Sequence, residues 1–436
     1  MINPKTLLEI DSQVIDSRNY YDLQVYSSIK NALPILTFKL RDDTGIYWNE
    51  LNFSVGSVVR FAYVETNLSD KEPNVSYTTK FIIQKLYNGF EINNKETMGG
   101  YVQVTCIQAW NYFGDYTSHA YDCQKMSDLI KTICKSAKPG SDIYVADENF
   151  TTSTDSGSIR YKSAISDLGF ITEKLLPFTM IDSSNALFYV NRIGAVHLSG
   201  YNTLYSKSEK LIICPPIAGI PEAENALAML KTSKNLDIHA EYISITSSIA
   251  SDPAVYTQLK QKVYIYDMQN ESTKIGTQSP AIGLGTDSEK IKKSYTPIKS
   301  TIVDDVSATS TFYIGNRPFE EQIAAARNTL AATNNLLSVE VYLGNFFPEV
   351  NIGDTVFLWI PPETKNLDEA DENGALKQTS KRKTHWLCGK WLISSEAVVT
   401  IEQGTVATRF TLVRPAFNFE PETTTLADFH SFFKVK

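Results

Sequence analysis

The side chains best suited to proton transfer or metal binding are five histidines, His119, His197, His239, His385 and His430, and they stand apart from one another. A zinc protease needs two imidazoles four residues apart on a helix with a glutamate between them, and no such HExxH stretch occurs. The five cysteines, Cys106, Cys123, Cys134, Cys214 and Cys388, are odd in number and contain no CxxC pair. That spacing fits neither a zinc knuckle nor a disulfide framework, and it suits a chain assembled in a reducing cytoplasm. No GxSxG elbow is present to expose a serine nucleophile. "IGLGTDS", Ile282 to Ser288, begins like a dinucleotide loop but puts Ser288 where the third glycine belongs, so it reads as a flexible loop.

Charged clusters carry no clearer chemistry. "NLDEADENGALK" gathers Asp368, Glu369, Asp371 and Glu372, yet Ala370 and Ala375 fall where a calcium loop needs oxygen ligands, which leaves a solvated acidic loop. The short basic run Lys290, Lys292 and Lys293 reads as a solvated face. Carboxylate pairs for glycoside hydrolysis cannot be chosen among 49 acidic residues, because their separation in space decides. The residues therefore predict no catalytic group, no cofactor and no metal.

The elements around them are those of a β-rich protein. With 436 residues and roughly 150 per domain, two to four domains are expected. An apolar fraction of 42% is ordinary for a folded protein, and 11% aromatic residues alongside many Thr, Ser, Val and Ile favour strands. A formal charge of -8 argues against gripping nucleic acid phosphates. Neither a signal-peptide core nor a run of about 18 apolar residues is found, so no stable membrane insertion is expected.

Along the chain, "PILTFKLRDDTGIYW" predicts a hairpin turning at Asp42, Asp43 and Gly45, and more short strands follow. "KMSDLIKTICKSAKPG" has helical spacing up to Pro139, and "YKSAISDLGFITEKLLP" has it up to Pro177. "NALFYVNRIGAVHLSG" reads as a tight hairpin around Asn191 to Gly194. From 205 to 310 a mixture of strand and loop is expected, including a strand ending at Pro215 and a strand pair across Asn270 and Glu271. "NRPFEEQIAAARNTLAATNNLL" has an Asn316 cap, Pro318 in the first turn and one apolar stripe, which predicts a helix.

One phrase is written twice. "SVGSVVRFAY", Ser54 to Tyr63, and "NIGDTVFLWI", Asn351 to Ile360, each place an aliphatic residue, a glycine and a small polar residue before a strand. After each come a polar loop and a further strand, pairing Phe81 with Trp386, Ile82 with Leu387, Lys85 with Lys390 and Leu86 with Trp391. Chance likeness between two β-meanders is one reading, and an internal duplication is the favoured one. Gly56 and Gly353 would take positive φ at the turn. The expected fold is mainly β with α+β: two tube-like β-barrel domains separated by a small α+β module. The division is 1–112 for the first barrel, 113–204 for the module, 205–310 for a mixed region partly completing the second barrel, and 311–436 for a helix, the second barrel and a C-terminal tail.

These pieces, in this order, resemble the tail-hub, or baseplate-hub, proteins of tailed phages and contractile injection systems. The resemblance rests on "VGSVVRF" and "FIIQKL", on "ALFYVNRIGAVHLSG", and on "FEEQIAAARNTLAA" leading to "NIGDTVFLWI", where no proline precedes the Gly353-Asp354 pair. It implies a non-enzymatic virion protein, assembled in the host cytoplasm. A homotrimer would form a pseudo-sixfold ring joining the tail tube protein to a central spike or tail-tip protein. Other baseplate proteins and a tape measure protein are further candidate partners, with DNA only in transit. The alternatives are a baseplate-associated cell-wall or polysaccharide hydrolase, or a carbohydrate-binding β module. In "FNFEPETTTLADFHSFFKVK" the tail residues Phe429, Phe432, Phe433 and Lys434 are partner-contact candidates, and folding back onto the last barrel is the other reading.

Overall fold

The computed structural model describes residues 5–43, 45, 47, 53–65, 74–77, 80–93, 97–109, 116–123, 125–136, 143–153, 158–182, 184–249, 261–267, 272–278, 310–314, 337–360, 387–400 and 406–414. The expected helix at 316–337 lies almost wholly outside them, as do the acidic loop, the Ile282–Ser288 stretch and the C-terminal tail.

The first part of the chain folds into β1 (Lys5–Ile10), β2 (Gln13–Ile15), β3 (Tyr20–Ser28), β4 (Ile35–Arg41), β5 (Val58–Glu65), β6 (Asn74–Tyr77), β7 (Phe81–Asn93) and β8 (Thr97–Gln108). Their order is β1-β5-β7-β8-β4-β3, with β2 beside β1 and β6 beside β5. The sheet curls because alternate residues such as Leu8, Phe38, Phe61, Phe81 and Val104 turn into one shared core. Its two ends meet through a 2.7 Å hydrogen bond between the hydroxyls of Thr6 on β1 and Tyr20 on β3. The turn expected at Asp42 exists, with Gly45 N donating to Asp42 O at 3.0 Å, and the second strand of the expected hairpin falls mostly outside the described residues. Asp42 Oδ1 also accepts the Tyr47 amide at 2.8 Å, and among the described residues the neighbours of β4 are β3 and β8.

The middle segment holds β9 (His119–Cys123), α1 (Met126–Ser136) and β10 (Ser158–Lys162). Next comes α2, which runs through Asp167–Gly169, a π-turn at Phe170–Leu175 and a 3-10 turn at Leu176–Phe178. β11 (Met180–Ile181), β12 (Ser184–Val190), β13 (Val196–Gly200) and the short α3 (Tyr201–Ser206) complete it. Leu129, Ile130 and Ile133 of α1 pack with Phe170, Ile171 and Leu175 of α2 over Phe188 and Val190 of the β12–β13 hairpin. That hairpin turns where the sequence places it, with Gly194 at φ +89°.

The remainder supplies β14 (Glu209–Cys214), α4 (Pro221–Lys234), β15 (His239–Ile249), β16 (Gln261–Asp267), β17 (Ser272–Gln278), β18 (Ser310–Ile314), β19 (Leu337–Leu343), β20 (Thr355–Leu358), β21 (Gly389–Thr400) and β22 (Val406–Arg414). Six of these strands close into a barrel, β14-β20-β21-β22-β19-β15, with β15 returning to β14. β16, β17 and β18 form a separate small sheet. The helix α4 stands where strand and loop were expected. Pro221 sits in its first turn and Asn235 ends it in the left-handed conformation at φ +53°. Its weak apolar stripe, Ala223 and Leu227, covers Ile212 and Cys214 on the outside of the barrel.

The two curled sheets use corresponding strands. In chain order β1, β3, β4, β5, β7 and β8 correspond to β14, β15, β19, β20, β21 and β22, and the order around the sheet is the same in both. β14 alone is reversed, running parallel to β20 where β1 runs antiparallel to β5. The glycine turns agree bond for bond. Gly56 N donates to Ile83 O at 2.9 Å and Gly353 N to Ile393 O at 3.0 Å. Ile83 N donates to Ser57 O and Ile393 N to Asp354 O. The Ser57 hydroxyl accepts the Ser54 amide just as Asp354 Oδ2 accepts the Asn351 amide. Both ladders then shift register one residue later, between Ile83 and Lys85 and between Ile393 and Ser395. These bonds correct the pairing read from the sequence: Ile83 matches Ile393, so Phe81 matches Trp391, five positions beyond Trp386. The sequence pairing followed an aromatic-to-lysine spacing, whereas the register is set by backbone hydrogen bonds at the turn.

Gly56 and Gly353 both hold positive φ, +99° and +80°, but a side-chain carbon at Gly353 would also collide with the Tyr189 hydroxyl, while Gly56 faces open space. Gly56→Ala should therefore cost about 1–2 kcal/mol of backbone strain. Gly353→Ala should cost about 3 kcal/mol or more, since overpacking adds to the strain. Urea denaturation distinguishes them, and Tyr189→Phe should recover part of the loss in Gly353→Ala and none in Gly56→Ala.

Candidate functional site

The two curled sheets join edge to edge, β3 to β21. Strand β3 pairs through Tyr20–Tyr26 with β4 of its own sheet and through Gln24–Ser28 with Val399–Ser395 of β21. Ile29 N donates to Ser394 O at 2.9 Å and extends the seam by one more bond. Val398 and Val406, at the β21–β22 end, pack into the first core rather than the second. The barrels are thus joined by a continuous sheet and a shared apolar contact, not by a linker.

The module locks this seam with one side chain. Arg192 lies in the β12–β13 turn and is 1% exposed. Its Nη1 donates to both carboxylate oxygens of Glu396 on β21, at 2.6 and 2.7 Å. The same guanidinium donates to Val350 O at 3.0 Å and to Pro348 O at 2.7 Å, and its Cζ lies 4.9 Å from the Phe346 ring centre. Glu396 is fully buried opposite Ser27 of β3 and Phe410 of β22, and burial pushes its carboxyl above the ordinary range while Arg192 opposes the shift. One cation therefore holds together the module hairpin, the segment entering the Gly353 turn and the strand shared by both barrels.

Beside it, Tyr189 stacks on His197 with ring centres 4.9 Å apart. Burial lowers the His197 pKa to about 4; nearby Lys207 and Lys210 add to the shift and Asp354 opposes it. Lys210 of β14 pairs with Asp354 at 2.9 Å and Lys207, just after α3, donates from Nζ to Gly353 O, so two further cations hold the glycine turn.

The groups singled out in the sequence stay apart. His119 is in β9, His197 is half-buried in β13 against Tyr189, and His239 is exposed beside Lys231 Nζ at 2.8 Å. His385 and His430 lie outside the described residues. Cys106, Cys134 and Cys214 are buried and burial raises their thiol pKa values, that of Cys214 to about 12. Among the described residues no three His, Cys, Asp or Glu side chains are grouped to hold a metal, and no helix is long and apolar enough to cross a membrane. The contact candidates Phe429, Phe432, Phe433 and Lys434 lie outside the described residues. Sequence reading missed Arg192 and Glu396. The signal was an arginine in a tight β-turn and a glutamate inside the apolar strand "WLISSEAVV", both costly to bury without a partner.

Removing one partner of this pair strands the other as an uncompensated buried charge, at a cost of about 3–5 kcal/mol. Arg192→Ala should lower the urea midpoint accordingly, and the double change Arg192→Met with Glu396→Leu should recover most of it. His197 sets a pH dependence of opposite origin. Its folded pKa is depressed from 6.5 to about 4, so protonation favours the unfolded chain. The stability it contributes is complete above pH 6.5 and is lost as pH falls towards 4, by at most about 3 kcal/mol. Denaturation at a series of pH values should show this slope, and His197→Phe should flatten it.

No family model matches the chain, and no curated protein matches its sequence. Solved structures do match. The tail protein from Neisseria meningitidis MC58 superposes with a TM-score of 0.53 at 7% identity, over 95% of this chain and 98% of that one. The 43 kDa tail protein of prophage MuSo2 from Shewanella oneidensis superposes with a TM-score of 0.50 at 10% identity, over 94% of this chain and 98% of the other. At these identities the likeness concerns the fold alone: over nearly its whole length, this chain has the fold of these two tail proteins.

Proposed function

We propose that the chain is a structural, non-enzymatic hub of a phage tail or baseplate, three copies of which form a ring of six barrels. Residues 1–112 would supply one barrel and 205–436 the other, with 113–204 as the module bracing them. The observation that carries this reading is the duplication: two curled sheets of the same strand order, with bond-for-bond equivalent glycine turns, joined edge to edge in one chain. Such a protomer contributes two near-equivalent units, and threefold closure gives six. That is the geometry needed to match a sixfold tail tube to a threefold spike. The tail proteins of similar fold support a place in the virion; the ring reading itself would make the tail tube, a spike or tail-tip protein, other baseplate proteins and a tape measure protein its partners. A chain with net charge -8 repels phosphate, which suits a channel that DNA crosses without being held.

Native mass measurement of the full chain tests the assembly. A species of three chains, stable to dilution into the micromolar range, is expected, and a monomer at all concentrations would overturn the ring.

A further inference from the structure

Within the chain, the seam follows one rule: the β3 strand of one barrel gives its outer edge to the β21 strand of the other. Their counterparts are β15 and β7, and neither is used in the same way inside the chain. β15 pairs with β19 along its length on one side, but with β14 only at His239–Glu241 on the other. β7 pairs with β8 throughout, but with β5 only at Phe81 and Ile82. Among the described residues, the edge of β15 from Ser244 to Ser248 and the edge of β7 from Gln84 to Gly89 have no ladder partner. Ile243 beside the first is 64% exposed and Tyr87 on the second 50%. Long unpaired edges invite pairing with another chain, and these two occupy the positions whose counterparts are already paired.

Resting on the ring reading, we propose that the contact between copies repeats the internal seam: β15 of one copy pairs antiparallel with β7 of the next. The register transfers through the ladders. Thr37 and Glu340 are equivalent through β8 and β22, which sets Gln24 against Thr246, Val25 against Ser247 and Tyr26 against Ser248. On the other side, the glycine turns set Val398 against Asn88 and Ala397 against Tyr87. Since Val25 faces Val398 and Tyr26 faces Ala397 inside the chain, Ser247 faces Asn88 and Ser248 faces Tyr87 between chains. The occupant of each edge is therefore a second copy of this chain. The contact is heterologous, and it closes only if the rotation closes. It is also more polar than its internal model, with Ser247 and Asn88 standing where Val25 and Val398 meet, as suits a contact that forms after each chain has folded.

The test is oxidative cross-linking of the full chain carrying Asn88→Cys and Ser247→Cys, with Tyr87→Cys and Ser248→Cys as a second pair one residue along. Wild type and single variants serve as controls, and native mass is measured in parallel. A covalent trimer on a non-reducing gel in at least one of the two pairs, at ten-fold or more over every control, is the expected result. A native trimer that neither pair links would overturn the strand pairing and leave the ring standing. A chain that is monomeric as wild type would overturn both.

Discussion

The arrangement of the two barrels depends on a buried guanidinium. Arg192 carries its charge into the seam between them, where, among the described residues, Glu396, three backbone carbonyls and the Phe346 ring receive it. Two ions removed from water gain little net stability from each other, but each is intolerable alone. The pair therefore selects one relation among three parts. The module hairpin must present Arg192, the chain before Gly353 must offer its carbonyls, and β21 must present Glu396, which the seam places opposite Ser27. A sliding of β21 past the module hairpin would separate the charges, so the pair fixes the module against the strand that both barrels share.

Reversal of a single strand explains most of the difference between the barrels. β1 lies antiparallel to β5, and its seam with β3 is spanned by side chains, Thr6 to Tyr20. β14 runs the other way and lies parallel to β15, which closes the ring with backbone bonds. Parallel neighbours cannot be joined by a tight turn and need a crossover, which is α4. The helix also covers the outer face of β14, where Ile212 and Cys214 would otherwise meet water. The fully apolar run "LIIC" is thus buried on both sides, inward by Leu211 and Ile213 and outward beneath α4.

The sequence made the periodic parts of this plan legible. The α1 stripe, the β12–β13 hairpin and the strand ending at Pro215 follow from spacing and turn residues that act locally. The glycine phrase was legible for the same reason, since positive φ leaves few other residues. The equivalence beyond it was misplaced by five residues, because register is fixed by hydrogen bonds that leave no trace in side-chain type. α4 was missed because its stripe among the described residues, Ala223 and Leu227 buried with Leu230 partly so, is too thin to show a helical period, and its need arises from the direction of β14. The Arg192–Glu396 pair is separated by 204 residues, so either residue alone showed only an unexplained charge.

The central claim is that one chain holds two equivalent barrels as adjacent positions of a ring. An electron cryomicroscopy reconstruction of the purified protein, calculated without imposed symmetry, tests it directly. The account predicts a ring whose rotational correlation shows six nearly equal barrel peaks around an open centre, alternating between two slightly different forms. A particle lacking such a ring, or one with the barrels of each chain at unequal radii, would contradict it.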